Sequence, residues 1–319
     1  MRLIACLIAV VLGVCSAHAQ QYPDRVIKLV VPFVPGSPVD VLARVISQQM
    51  TTRLGQSVVI ENRPGAGTST ATKQVQAAAP DGYTLLMMGQ NLVYVGILYP
   101  DIGFDPVKSF TPVATLAGWS HVLLVANNVP AKSIKELVAY AKANPGKVTF
   151  GYGLGTSPQI VGKSFELAAG LDLINVPYKG GEQVRVDLLG GRIAMNIAPV
   201  SNALPMIQSG KVRALAVTGA ERDPALPDVP TMIESGYPQA GFHPDVWQAI
   251  VAPLGTPPAI VNKLNTEINA ALTSAEVQAT FKKLRFQPMI NSPAEFATFL
   301  AVQAKRWPPI IKAAGLKGG

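Results

Sequence analysis

Cysteine is almost absent from this chain: its 319 residues include two, Cys6 and Cys15, both close to the start. Arg2 supplies a positive charge, Leu3 to Val14 an apolar run and Ala17-His18-Ala19 a small-x-small cleavage site, the three parts of an export leader. The run is too short to span a bilayer. Cleavage after Ala19 is therefore the expectation, with residues 1–19 the signal peptide and Gln20 the first mature residue. A lipoprotein leader is the alternative, since Cys15 follows Leu12-Gly13-Val14, although a bulky Val directly before the Cys suits lipoprotein processing poorly. Without the leader, 300 residues remain and none is a thiol. That excludes disulfides, Cys-ligated metals and a Cys nucleophile, so an exported chain of about two domains must be held by core burial alone.

Histidine is nearly as scarce. Beyond the leader there are His121 and His243, neither in an HExxH arrangement, and no Gly-x-Ser-x-Gly elbow occurs. His121 sits on an apolar strand, where a satisfied core residue is the ordinary outcome. Carboxylates are not clustered at ligand spacing, so no metal or other cofactor is expected. Charge of one sign is not concentrated either: removing Arg2 leaves 26 Lys and Arg against 19 Asp and Glu, a net of +7, spread along helices at positions such as Lys132, Lys135, Lys142 and Lys147. That favours anionic partners in a general way but gives no nucleic-acid footprint. No later segment is long enough to cross a membrane, and there is no solenoid repeat.

What the sequence does contain is an alternation of short Val, Ile and Leu runs with amphipathic stretches, the pattern of an α/β fold with parallel strands. Val26 to Phe33, Ser57 to Ile60 and Tyr83 to Met88 read as strands, separated by helices over Val39 to Leu54 and Thr68 to Ala78. A Pro/Asp/Gly-rich stretch, Tyr99 to Pro112, precedes a strand at His121 to Ala126. The capping box Ser133-Ile134-Lys135-Glu136 opens a helix that ends at Asn144-Pro145-Gly146. Further strands are Val148 to Phe150, Leu173 to Val176, Ile193 to Ile197 and Ala214 to Thr218, with helices starting near Ser157, Glu182 and Ser201. After a proline-rich connector come a strand at Val246 to Ala252, a helix opened by Thr256-Pro257, and a last helix capped by Ser292 and Glu295 that Pro308-Pro309 should kink or interrupt. Crossings near His121 and Val246 would join two βα lobes, one of residues 20–122 and 247–319, the other of residues 123–246. A ligand cleft should lie between them.

Loops at the carboxyl ends of strands are where such sheets bind ligands. The first, Phe33-Val34-Pro35-Gly36-Ser37-Pro38-Val39-Asp40, offers N–H groups near Ser37 and Val39 at the positive end of a helix, or is simply a tight turn with Ser37 as cap. The second, Gly151-Tyr152-Gly153-Leu154-Gly155-Thr156-Ser157-Pro158, adds hydroxyls; it lacks the third glycine of a dinucleotide fingerprint, and Gly162-Lys163-Ser164 imitates a P-loop without its partner glycine. Tyr178-Lys179-Gly180-Gly181 opens another helix, on which Arg185 either pairs with Glu182 or faces the cleft to hold a carboxylate through two N–H bonds. Gly65-Ala66-Gly67-Thr68 reads as a structural turn. Gln90 and Asn91, just past the third strand, carry donors and acceptors suited to a cleft.

Seven segments in order then resemble the Bug family, periplasmic solute-binding receptors that serve tripartite tricarboxylate transporters. They are Leu29-Val30-Val31-Pro32-Phe33 with Pro35-Gly36 and Asp40; Glu61-Asn62-Arg63-Pro64-Gly65-Ala66-Gly67; Ala79-Pro80-Asp81-Gly82-Tyr83-Thr84-Leu85-Leu86; Val176-Pro177-Tyr178-Lys179-Gly180-Gly181; Asp187-Leu188-Leu189-Gly190-Gly191; Gly210-Lys211-Val212-Arg213-Ala214-Leu215-Ala216-Val217-Thr218; and Leu226-Pro227-Asp228-Val229-Pro230-Thr231. The match runs from Tyr22 to about Gly315.

The resemblance implies a periplasmic, type II-like two-lobed binding protein, not an enzyme, hinged by two strands and acting as a monomer with membrane permease subunits. It implies that Phe33 to Asp40 and Gly155-Thr156-Ser157 pinch one carboxylate, often with ordered water. Three departures bear on the ligand. Ser37-Pro38-Val39-Asp40 stands where relatives commonly have a glycine-rich run ending in Thr-Asp, Gln159 replaces a frequent His, and Ala198 a frequent Asp. Losing an acid while gaining Arg185 shifts the cleft towards positive potential, so a dicarboxylate, with an aliphatic or aromatic body, is the expected ligand. A carboxylate sensor that docks on a membrane histidine kinase is the alternative reading, and a secreted hydrolase using Ser157 a weaker one, for want of a base in the sequence.

Overall fold

The computed structural model describes residues 22–65, 68–98, 103–153, 156–178, 180–238 and 246–313. The leader, Gly155, Lys179 and His243 lie outside them. Two mixed sheets organise the chain. The first contains β1 (Ile27–Val31), β2 (Val58–Asn62), β3 (Thr84–Gly89), β4 (Phe110–Trp119), β10 (Val246–Pro253) and β11 (Gln287–Pro288), in the order β11-β4-β10-β3-β1-β2. The second contains β5 (His121–Ala126), β6 (Thr149–Gly153), β7 (Ile174–Tyr178), β8 (Met195–Pro199) and β9 (Val212–Val217), in the order β7-β6-β8-β5-β9.

Each sheet has a parallel part built of βα units and an antiparallel strand at the crossing. β1 pairs in parallel with β2 and β3, and β6 with β7 and β8. β10 runs antiparallel to β3 and β4, and β5 antiparallel to β8 and β9. The chain leaves the first sheet at Trp119, passes through Ser120 alone and enters the second at His121, then returns after Val217. The crossings are stitched together: the His121 N–H donates to Thr218 Oγ1 at 2.9 Å and the Thr218 N–H to the His121 carbonyl at 2.9 Å. A side chain on Gly219 would meet Ser120 Oγ and crowd the Glu221 carbonyl, so the glycine lets these two segments approach without the serine turning away.

Helix α1 (Pro38–Leu54) shows how local chemistry sets the elements. Ser37 caps it by accepting from the Asp40 N–H, Pro38 pre-sets the first turn, and Gly55 ends it with φ 68°. Leu42, Ala43, Ile46 and Met50 repeat at helical spacing and are fully buried against the sheet. At roughly 1.5–3 kcal/mol for each large apolar side chain, this packing, not propensity, holds the helix in place. Apart from the exposed Lys28, β1 is buried on both faces, between α1 and α2 (Ser69–Gln76), which accounts for the apolar run Leu29-Val30-Val31.

Three features depart from the sequence reading. α3 (Gln90–Leu98) begins directly at the end of β3 and has few polar positions, so it lacks the alternation that reveals a helix. Most of β4 escapes because Pro112 and Gly118 interrupt its composition; Pro112 sits opposite Val251, at a register shift that tolerates a missing donor. Finally, α10 (Pro293–Ala313) continues through Pro308-Pro309. Trp307 and Ile311, both buried, pin the helix on either side of the two prolines and outweigh the lost hydrogen bonds. The remaining helices are α4 (Ile134–Ala143), α5 (Ser157–Ala169), α6 (Gly181–Leu189), α7 (Val200–Gln208), α8 (Pro258–Leu272) and α9 (Ala275–Leu284). No described helix is long and apolar enough to cross a membrane.

Candidate functional site

A cavity of about 430 Å³ opens at the carboxyl ends of β6, β7 and β8, where the N-termini of α5, α6 and α7 converge. Its polar lining is Thr156, Ser157, His121, Asn196 and Asn202, with Glu182 and Arg185 at one side; Trp119, Val184, Ile197, Pro199 and Met206 supply apolar wall. First-turn N–H groups have no intrahelical acceptor, so three converging helix starts favour an anion here. A larger hollow of about 680 Å³ lies among Val93, Ile97, Phe104, Ala301 and Lys305, but it is mostly apolar and no described helix start lines it. The smaller cavity has the chemistry.

Ser157 starts α5, with Pro158 in its first turn and Thr156 extended before it. The Thr156 hydroxyl donates to the Gly153 carbonyl at 2.6 Å, so it shapes the loop and does not reach a guest. Ser157 Oγ instead lies 3.3 Å from His121 Nε2. His121 is 1% exposed yet borders the cavity, because β5 enters the second sheet antiparallel to β8 and β9 and begins at the cavity wall. Sequence reasoning assigned it to the core; its place as the first residue after a sheet crossing was the available signal.

The other anticipated residues divide sharply. Arg185 and Ala198 line the cavity together with Thr156 and Ser157. Arg185 is also held by Glu182, through Nη2 at 2.8 Å and Nε at 2.9 Å, so the local ion pair and the cleft position occur together. Gly180 is the cap of α6, in extended backbone. Tyr178 turns elsewhere: its hydroxyl donates to Asp187 Oδ2 at 2.6 Å, and burial together with that carboxylate pushes its pKa up to about 12. Gln159 is buried on Tyr152, a hydrogen bond that holds the Tyr152 hydroxyl's pKa down against the larger effect of burial.

In the first loop, Asp40 is structural. Its carboxylate is 1% exposed and accepts from the Gly36 N–H at 2.9 Å, Arg44 Nε at 2.8 Å and Asn62 Nδ2 at 2.8 Å. Burial pushes its pKa up, but these donors outweigh burial and leave it below the ordinary value. Ser37 Oγ is engaged as the helix cap, Val39 is packed in the core, and the Phe33 carbonyl accepts from Asn62. Gly36, at φ 82°, lets the loop turn outward, leaving Val34 58% exposed and Pro35 and Gly36 on the surface. Gln90 is 1% exposed with neither amide atom bonded, and Asn91 is half-buried on α3; neither borders the cavity. The residues sequence reasoning missed are His121, Trp119, Asn196 and Asn202. Among the described residues no group of three His, Cys, Asp or Glu is placed to hold a metal.

This geometry has close counterparts. Residues 42–316 match the family model described as the tripartite tricarboxylate transporter family receptor. BugT of Bordetella pertussis is 37% identical over 302 residues, covering 94% of this chain and 92% of that protein. A structure from R. palustris with adipate is 33% identical with a TM-score of 0.73, over 92% of this chain and 98% of the other. MatC from Rhodopseudomonas palustris with bound malate is 31% identical with a TM-score of 0.72, over 91% and 100%. Solved structures thus match this fold along nearly their full length, and the chain belongs to the tripartite tricarboxylate transporter receptor family, among the Bug proteins.

Proposed function

We propose that this protein captures a small organic carboxylate in the periplasm and presents it to the permease subunits of a tripartite tricarboxylate transporter. The observation that carries the reading is the Ser157 hydroxyl at the start of α5, beside His121, in a cavity onto which three helix N-termini converge. A carboxylate there accepts from that hydroxyl and from first-turn N–H groups. Hydrogen bonds to a charged group contribute roughly 1.5–3 kcal/mol each and micromolar affinity needs about 8 kcal/mol, so the second sheet's contacts need help. The exposed Val34-Pro35-Gly36 turn of the first lobe (residues 20–122 and 247–319) helps when the lobes close, chiefly by excluding water over the guest, since Pro35 has no N–H and Asp40 holds that of Gly36. Arg185 is the second anchor: a distal carboxylate draws its guanidinium from Glu182. The mature monomer begins at Gln20.

The test is mass spectrometry of what co-purifies with the periplasmic protein, followed by a thermal-shift panel of mono-, di- and tricarboxylates. Stabilisation by at least one acid is the expected result, and a silent panel overturns the reading. The Ser157 and His121 pair also has the reach of a nucleophile and its base. Steady release of p-nitrophenol from p-nitrophenyl acetate, lost in Ser157→Ala, would establish a hydrolase instead.

A further inference from the structure

Trp119 is the one tryptophan that borders the cavity; Trp247 and Trp307 are fully buried elsewhere. Its indole is stacked on Phe286, with centroids 4.8 Å apart and planes at 19°, and Phe286 in turn meets the buried Phe281 edge-on at 6.0 Å. The local sequence builds this backing. Arg285 ends α9 in the left-handed region at φ 58°, which reverses the chain and delivers Phe286, and β11 then locks the next two residues onto β4 by pairing Gln287 with Gly118. Trp119 is therefore a rigid aromatic surface held at the junction of the two sheets.

The same cavity is lined by the carboxylate donors already described, Ser157 and the start of α5. A cavity of roughly 150 Å³ holds a benzene ring, so about 430 Å³ accommodates a ring together with its carboxyl substituents. Indole rings favour offset stacking or edge-to-face contact with other aromatic rings, which adds to simple apolar burial. We infer that the ligand is an aromatic carboxylate whose ring packs on Trp119, backed by Phe286, while its carboxylate takes the Ser157 hydroxyl and the start of α5. This inference rests on the carboxylate reading of the same cavity and narrows it to a ligand class.

The experiment compares acids matched in size but not in aromaticity: benzoate with cyclohexanecarboxylate, and terephthalate with trans-1,4-cyclohexanedicarboxylate, with malate and adipate as aliphatic controls. Affinities for the whole mature protein are measured by calorimetry and by tryptophan fluorescence, to which Trp119 is the responsive contributor. The aromatic member of at least one pair binds about tenfold more tightly, Trp119→Phe keeps most of that ratio, and Trp119→Leu brings it near one while still binding acids. Phe286→Ala lowers the ratio by loosening the platform, with thermal unfolding confirming that each variant is folded. Equal affinity within both pairs, binding of malate or adipate alone, or a ratio unmoved by Trp119→Leu overturns the inference and leaves the carboxylate reading standing. Failure of every acid overturns the carboxylate reading, and the inference with it.

Discussion

The Nε2 atom of His121 lies 3.3 Å from the Oγ atom of Ser157, joining the first residue of β5 to the first residue of α5. When the imidazole donates its proton to Oγ, the serine hydroxyl is turned to donate to a guest anion. Ser157→Ala should then weaken binding of a cognate carboxylate by roughly 10- to 100-fold, the weight of one hydrogen bond to a charged group. His121→Phe should weaken it comparably, His121→Gln less, because its amide keeps an N–H donor. The double variant should be no weaker than the worse single one, since the pair acts as a unit; calorimetric titration of the four proteins closes the cycle, and additive losses would refute it.

Arg185 sits on the rim beside Glu182, both side chains well exposed. Arg185→Ala should leave the unfolding temperature nearly unchanged. It should lower affinity for a dicarboxylate about tenfold or more relative to the monocarboxylate of the same body. Equal loss for both would show that Arg185 acts on the cavity's general potential and not on a second carboxylate.

Asp40 predicts an acid-sensitive loop. Its folded pKa lies below the ordinary value of 3.8, so its stabilising contribution is complete above that value and is lost as pH falls through the folded value. Asp40→Ala removes the acceptor shared by the Gly36 N–H, Arg44 Nε and Asn62 Nδ2, of which Asn62 keeps its bond to the Phe33 carbonyl, and should cost about 1–3 kcal/mol at pH 7, measured by urea unfolding. The loss should shrink below pH 3.8, where the unfolded carboxylate takes up a proton that the native one, with its lower pKa, binds only as the pH falls further.

Gly162 is a packing residue. A Cβ there would overlap the ring of Phe150, itself fully buried on β6. Gly162→Ala should destabilise by about 1–3 kcal/mol through overpacking, despite the better helix propensity of alanine, with a lower denaturant midpoint and an unchanged slope. Unaltered stability would mean that Phe150 can move aside.

Ligand and fold should be linked by mass action. A cognate acid at a hundred times its dissociation constant should raise unfolding free energy by about 2.7 kcal/mol. Ser157→Ala at the same ligand concentration should show a smaller rise that recovers as ligand is increased.

Much of this was legible in the residues themselves. The apolar runs of β1, β3 and β5, the caps at Ser37, Ser133 and Ser292, and the glycine and proline stops are local, and local chemistry fixed the elements they begin and end. Ser157 and Arg185 were legible too, because a loop at a strand's end with a hydroxyl or guanidinium is a statement about position in an α/β unit. α3 and β4 were not, since their burial comes from neighbours distant in sequence that remove the need for a polar face or an unbroken β-forming composition.

The sequence by itself determined the exported, thiol-free character expected of the chain, its βα units and the family to which its motifs point. Which side chains meet in the cavity was decided only in three dimensions. Asp40 and Tyr178, polar and on the expected loops, are drawn away: Asp40 by Arg44 one helical turn on and by Asn62 from the neighbouring strand, Tyr178 by Asp187 on the following helix. His121, which read as core, and Trp119, which has no role in the sequence reading, are brought to the cavity because one strand leaves a sheet and the next enters another with Ser120 alone between them. The Asp40–Asn62 bond and the strand crossing are non-local, so no short window of sequence contains them, and the nearer pairs form only because the fold fixes which rotamer each side chain takes.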